Sequence, residues 1–250
     1  DPNTGKMVKV GDFIFDEFAD EKINEFASEH STSFRVALAE GVSSWQVYKA
    51  LSDIKFLSGK LENIPDEGTI APASYDFVIG MTKEALIKKM QERQASILNE
   101  AWNARQPNLP INTKQEALIL ASIIEKETSL KTERGKVSSV FVNRLLREIA
   151  LQTDASVVYG ITRGKKVLGR GLRRSELKKD TPWNTYVNKG LPPSPIGNPG
   201  KASIHAALNP DITNYLYFVA DGSGGHAFAE NLREHNINVA KWRKIEKTDN

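Results

Sequence analysis

The chain has 250 residues and a mass of 27.8 kDa, with 40% hydrophobic and 26% charged residues, the make-up of a globular chain that fills one large core or two modest ones. It contains no cysteine, which excludes disulfides, thiolate metal sites and cysteine nucleophiles, and its longest apolar-or-small run, Ala117–Ile124, is far shorter than the roughly 20 residues of a membrane helix. The net charge of +3 is uneven: residues 1–110 hold 12 Lys and Arg against 17 Asp and Glu, residues 111–250 hold 22 against 14, and the shift argues for two units with different partners.

The segment Val8–Phe18 is short and apolar in places, and Ile23–Ser28 fits one or two helical turns. Phe34, Val36 and Leu38 at period two predict a strand. Glu40-Gly41 reads as a turn, and Ser43 as the N-cap of a helix carrying Val47 and Leu51. A second turn and helix are expected around 53–61. Strand, helix, helix, strand is the order of a small carbohydrate-binding module of LysM type. Residues 67–82 read as turn-rich and irregular. A long helix is expected over 83–105, then a proline-containing break at Gln106–Pro110.

Thr113 and Glu116 have capping-box spacing, so a helix is expected from Lys114 to about Thr128. At 100° per residue from Ala117, the apolar residues Ile119, Leu120, Ile123 and Ile124 form one wide stripe. Glu127 falls inside it and Glu125 on the side of Ala117 and Ala121. A carboxyl at the end of an apolar stripe is expected to have a raised pKa, as a general acid near neutral pH requires. The alternative is a partly buried structural Glu paired with an arginine or a backbone donor.

A second helix is expected over 133–149 and a third short one opening at Asp154 as N-cap. Simple capping leaves Gln152 and Tyr159 unexplained. Arg163–Leu177 reads as a basic hairpin. The basic run Arg163–Lys179 lacks the interleaved aromatics that stack bases, so nucleic acid is set aside; an anionic membrane face or wall polymer remains a weaker fit to the basic half. Trp183–Gly200 is a long Pro/Gly loop, of the length that carries function or moves. Lys201–Leu208 reads as a helix, Tyr215–Ala220 and His226–Phe228 as a hairpin closed by 221–225, and Leu232–Lys247 as a last helix with Val239 and Trp242 inward.

Several chemistries fail on spacing. The four His (His30, His205, His226, His235) are scattered, which argues against a metal site. Gly164-Lys165-Lys166 lacks a phosphate loop's Ser/Thr and spacing, and no nucleophile elbow supports a triad from Asp221, Ser223 and His226. What remains is the Glu helix beside an amide-rich loop. The runs ASIIEKET (Ala121–Thr128), LQTD (Leu151–Asp154), NTY (Asn184–Tyr186), GLPPSPIGNPG (Gly190–Gly200) and YLYFVADGSGGHAF (Tyr215–Phe228), with EGTIAPASYDF (Glu67–Phe77) upstream, resemble the YceG-like family in order and spacing. The resemblance covers roughly residues 36–247.

The resemblance implies an α+β fold, with a small LysM-like βααβ module and connection over 1–80 and a mixed, helix-rich catalytic domain with β-hairpins over 81–250. Members of the family are endolytic lytic transglycosylases of the bacterial cell wall, carbon-oxygen lyases that cut nascent peptidoglycan strands between N-acetylmuramic acid and N-acetylglucosamine. The cut leaves a 1,6-anhydro-muramyl end. It needs one Glu, acid then base, and no cofactor or metal. Related goose-lysozyme-like transglycosylases have a catalytic Glu followed by Ser, which aligns with Glu127-Thr128. Glu125 is then a supporting group, and Gln152, Asn184, Tyr186, Tyr217 and His226 are substrate-binding candidates. Ala155 stands where the family commonly has Pro, Ser194 where it has Gly, and Trp183 where Tyr is frequent; the Ser194 departure bears on loop shape. The expected partners are peptidoglycan glycan strands and the peptidoglycan polymerases of elongation or division. A single-pass anchor in the cell inner membrane, with this region in the periplasm or otherwise outside the cytoplasmic membrane, is expected upstream of Asp1. The competing functions are a hydrolytic muramidase and a catalytically silent peptidoglycan-binding scaffold.

Overall fold

Period-two alternation at Phe34 and Val36 does produce a strand. The computed structural model describes residues 6–10, 13–17 and 33–248. Strands β1 (Lys6–Val10), β2 (Phe13–Glu17), β3 (Ser33–Ala37) and β4 (Ser74–Val78) form one antiparallel sheet in chain order. Phe34 pairs with Phe77 and Val36 with Tyr75, and all four side chains are buried on one face. The expected helical turns at Ile23–Ser28, and His30, lie outside the described residues.

Helix α1 (Ser44–Asp53) starts where Ser43 predicts: its hydroxyl accepts the Gln46 N–H at 3.2 Å and the Gln46 side chain returns to the Ser43 N–H at 2.8 Å. The helix expected at 53–61 does not form. Ile54, Leu57 and Leu61 are buried at helical spacing, but the backbone there bonds to the 78–83 segment instead of to itself. Ser58 N–H donates to Met81 O and Gly80 N–H to Phe56 O, while Gly59 takes a left-handed φ of 74°. The segment expected to be irregular, 67–82, contains β4; its five residues are hidden between Pro, Gly and Ser.

Helix α2 (Lys83–Asn103) joins two cores. Leu86, Ile87 and Met90 close the core of the sheet and α1, whereas Leu98 and Ala101 enter a second core. That core is built on α3 (Lys114–Glu127), with α4 (Arg134–Leu146), α5 (Asp154–Thr162) and α7 (Lys201–Leu208) around it. The 163–177 segment is no hairpin: it runs irregularly into a short helix α6 (Arg174–Lys178). Glu176 explains this, since it pairs with Arg170 at 2.6 Å and accepts the Arg173 N–H, anchoring a helical turn where cross-strand bonds were expected. Strands β5 (Tyr217–Ala220) and β6 (His226–Ala229) form the expected hairpin, and α8 (Leu232–Thr248) packs on it with Val239 and Trp242 half-buried. The fold is α+β, helix-rich with small antiparallel sheets. Among the described residues no helix is long and apolar enough to cross a membrane.

The two cores are tied by backbone. Gly41 N–H donates to Asn198 O and Asn198 N–H to Val42 O, both at 2.8 Å. The fully buried Asn198 amide donates to Val42 O and accepts the Ile70 N–H. A Cβ on Gly197 would lie 2.6 Å from the Gly41 carbonyl oxygen, so this approach requires glycine.

Candidate active site

Helix α3 opens with the predicted capping box: Thr113 accepts the Glu116 N–H at 3.1 Å and Glu116 accepts the Thr113 N–H at 3.2 Å. Every residue from Ala117 to Ile124 is buried, so the helix is enclosed on all sides and not only along its stripe. Its last turn carries two carboxylates where the helix dipole disfavours negative charge. Their fates differ.

Glu127 is partly buried, and burial pushes its carboxyl above the ordinary range. A hydrogen bond from the Thr153 hydroxyl works against the rise, the Asp154 charge adds to it, and His226 opposes it. Among the described residues no cation pairs with Glu127 within salt-bridge distance. The carboxyl is held by a neutral hydroxyl in a poorly hydrated place, which is the arrangement that keeps a proton available.

Thr153 is the N-cap of α5, correcting the expectation that Asp154 holds that position. A capping hydroxyl ordinarily accepts an N–H of the first turn. This one donates to Glu127 instead. Asp154 occupies the first helical position, where its charge suits the helix N-terminus, and it accepts the Tyr186 hydroxyl at 2.6 Å. Burial first, then the Asp154 bond, pushes the Tyr186 phenol far up and keeps it a hydrogen-bond donor.

Gln152 precedes the cap with its side chain exposed and a left-handed φ of 54°. Its N–H donates to Thr185 O at 3.0 Å, and Thr185 Oγ1 accepts the Thr153 N–H at 3.1 Å, which ties the NTY loop to the cap. Arg144 reaches Gln152 Oε1 from α4 and lies 5.1 Å from the centre of the Tyr217 ring. His226 on β6 is fixed by Glu133, which accepts both its N–H and Nδ1–H, at 2.9 and 2.8 Å. Glu127, Gln152 and Tyr186 thus gather around Thr153 and Asp154, with His226 within electrostatic reach of Glu127 and Tyr217 reached through Arg144.

Two sequence candidates face elsewhere. Glu125, 5% exposed, pairs with Arg134 at 3.2 Å and accepts the Gly200 N–H at 2.9 Å, and Arg134 also binds Glu40 beside the first core. Asn184 is fully buried; its amide donates to the Glu176, Leu177 and Lys179 carbonyls and its oxygen accepts the Tyr186 N–H. It shapes the loop and presents no polar atom outward. The residues that sequence reasoning missed are Thr153, Asp154 as a site group, Glu133 and Arg144. Thr153 and Asp154 lay in the LQTD run already singled out; Arg144 and Glu133 carried no local signal.

The model of the YceG-like family matches residues 3–241. A protein of Bacillus subtilis (strain 168) named endolytic murein transglycosylase is 35% identical over 229 residues, covering 84% of this chain and 62% of that relative. A Streptococcus pneumoniae serotype 2 protein of the same name is 34% identical over 182 residues, 70% of this chain and 32% of its own. The chain therefore spans less than two thirds of the length of these curated relatives. The crystal structure of a yceG-like protein from Listeria monocytogenes superposes with a TM-score of 0.65 at 28% identity, covering 81% of this chain and 75% of that one. A family match running nearly end to end, together with a relative 35% identical over 84% of this chain, establishes that the chain belongs to the YceG-like family.

Proposed function

We propose that the chain is an endolytic lytic transglycosylase that cuts nascent peptidoglycan between N-acetylmuramic acid and N-acetylglucosamine, with Glu127 as acid and then base. The observation that carries the reading is the state of Glu127: a partly buried carboxyl with a raised pKa, one neutral hydrogen-bond donor and no paired cation among the described residues. Family membership and the names of the relatives support the reaction class.

The chemistry balances without water. Protonated Glu127 gives its proton to the glycosidic oxygen as the bond from that oxygen to the muramyl anomeric carbon breaks. The muramyl C6 hydroxyl then attacks the same carbon and returns its proton to Glu127, closing the 1,6-anhydro ring. The attacking hydroxyl is held on the same sugar, so no second reactant has to be captured. Tyr186, fixed by Asp154, and the exposed Gln152 amide are the groups best placed to hold the substrate beside Glu127. The substrate places the work outside the cytoplasmic membrane, and an inner-membrane anchor and partnership with peptidoglycan polymerases belong to the same proposal.

One observation favours a second reading. Asp154 is a second carboxylate beside Glu127, and a hydrolytic muramidase uses two. Digesting purified sacculi and weighing the fragments separates the two. Anhydro-ended fragments are expected; reducing ends alone would replace the transglycosylase with the muramidase. Unchanged glycan lengths in cells carrying Glu127→Gln would favour a silent scaffold.

A further inference from the structure

Arg144 is a buried cation that the proposed reaction leaves unused. It is 7% exposed, and among the described residues no carboxylate pairs with it. Nε donates to the Leu216 carbonyl at 2.7 Å, and Nη1 to the Ala150 and Leu151 carbonyls at 3.0 Å each and to Gln152 Oε1 at 3.3 Å. Carbonyls and the Tyr217 ring orient the guanidinium without neutralising it, and burying an unneutralised charge is costly. Nη2 makes no hydrogen bond to a described residue and is not among the sealed atoms that lack a partner, so its donors open to solvent.

Gln152 adds a second set of donors. An arginine only donates, so the amide oxygen faces Nη1 and the Nε2 hydrogens point away from it. The backbone that holds this exposed amide is left-handed at φ 54°, uncommon for a residue with a side chain. The next residue, Thr153, holds Glu127. Tyr186 lies within electrostatic reach of both Arg144 and Glu127, which links the donor pair to the reacting carboxyl.

We propose that Arg144 and Gln152 form an all-donor subsite for an acyl oxygen, carboxylate or amide carbonyl, on the lactyl arm of a muramyl residue. The inference rests on the glycan-cleaving reading above and deepens it. The lactyl arm is what distinguishes N-acetylmuramic acid from N-acetylglucosamine, so a site for it selects which of the two anomeric carbons meets Glu127. An unneutralised cation favours the arm's oxygens over sugar hydroxyls, which need acceptors as well as donors. The 2-acetamido carbonyl offers the same acceptor chemistry and is present on both sugars.

The test is calorimetric binding to the full 250-residue chain carrying Glu127→Gln, with and without Gln152→Glu. The probes are a chitin tetrasaccharide (acetamido groups only), peptide-free glycan of the same length (lactyl carboxylates) and peptide-bearing glycan (lactyl amides). Gln152→Glu is expected to weaken the peptide-free glycan roughly tenfold or more, the peptide-bearing glycan less, and the chitin probe not at all. Equal loss on all three moves the acyl oxygen to the acetamido group and overturns the lactyl assignment. Equal affinity with and without the substitution overturns the subsite altogether. If the Glu127→Gln chain binds none of the probes, the glycan reading fails and takes the subsite with it. Gln152 is exposed and a Glu there gains Arg144 as a partner, so the melting temperature is expected to hold or rise, which separates lost binding from lost fold. Arg144→Lys, which keeps the charge but not the fork, is expected to fall between the two.

Discussion

Glu125 and Glu127 stand two residues apart at the end of one helix, and their surroundings are opposites. On the Glu125 side the two cores close against each other, and the carboxylate is matched by Arg134 and a backbone N–H. On the Glu127 side the helix meets the α5 cap, and the carboxylate is matched by a hydroxyl alone. Burial with an ion pair makes a carboxylate a fastener. Burial without one favours its protonated form. A short stretch of backbone separates the two environments because successive helical positions point in different directions.

The sharpest way to break this contrast is to neutralise each carboxyl in turn. Glu127→Gln is expected to lower anhydro-fragment release from sacculi by roughly 10²–10⁴-fold with the fold retained, whereas Glu125→Gln keeps activity within about tenfold and lowers stability. A dead Glu125→Gln beside an active Glu127→Gln would reverse the assignment. Next in size is Arg134→Met, which strands the buried Glu125 charge and is expected to cost about 3–5 kcal/mol by denaturant unfolding; adding Glu125→Gln should recover part of that loss. No recovery would mean that Arg134 acts through packing.

The pH dependence of stability sharpens the other side. Burial raises the folded-state pKa of Glu127 above its ordinary 4.5, so the folded protein holds that proton more tightly than the unfolded chain. The stability this gives is complete below pH 4.5 and is lost as pH rises through the folded value. Glu127→Gln has no such loss, so its melting temperature should gain on the parent as pH climbs above 4.5. Glu67 is raised by burial too, but it is present in both proteins and cancels in the difference. The smallest effect is expected from Thr153→Val. It removes the bond that lowers the Glu127 pKa, so the alkaline limb of the pH–rate profile should move up, with the plateau little changed. A limb that stays put would mean that Thr153 does not set the proton affinity of Glu127.

The parts of the molecule that could be read from sequence are those written in local patterns. Ser43 with Gln46, and Thr113 with Glu116, cap their helices as their spacing says, because a capping box is satisfied within four residues. The direction of Glu127 along the apolar stripe was likewise a property of one helix. The failures share a cause. The 54–61 segment has helical spacing but spends its hydrogen bonds on the 78–83 turn, and β4 is a strand only because β3 lies beside it. The helical wheel places Glu125 on the small-residue side but carries nothing about its partners, Arg134 (shared with Glu40) and the Gly200 N–H, which lie outside that helix.

The family and the α+β class are legible from the residues in order, since motifs, caps and periodicity are carried by neighbouring residues. Tertiary structure alone decided what each polar group does. Thr153 becomes a donor to Glu127, Asn184 a loop fastener and Arg144 a cation without a carboxylate among the described residues. The physical reason is that charge state and hydrogen-bond role depend on burial and on partners brought in from far along the chain.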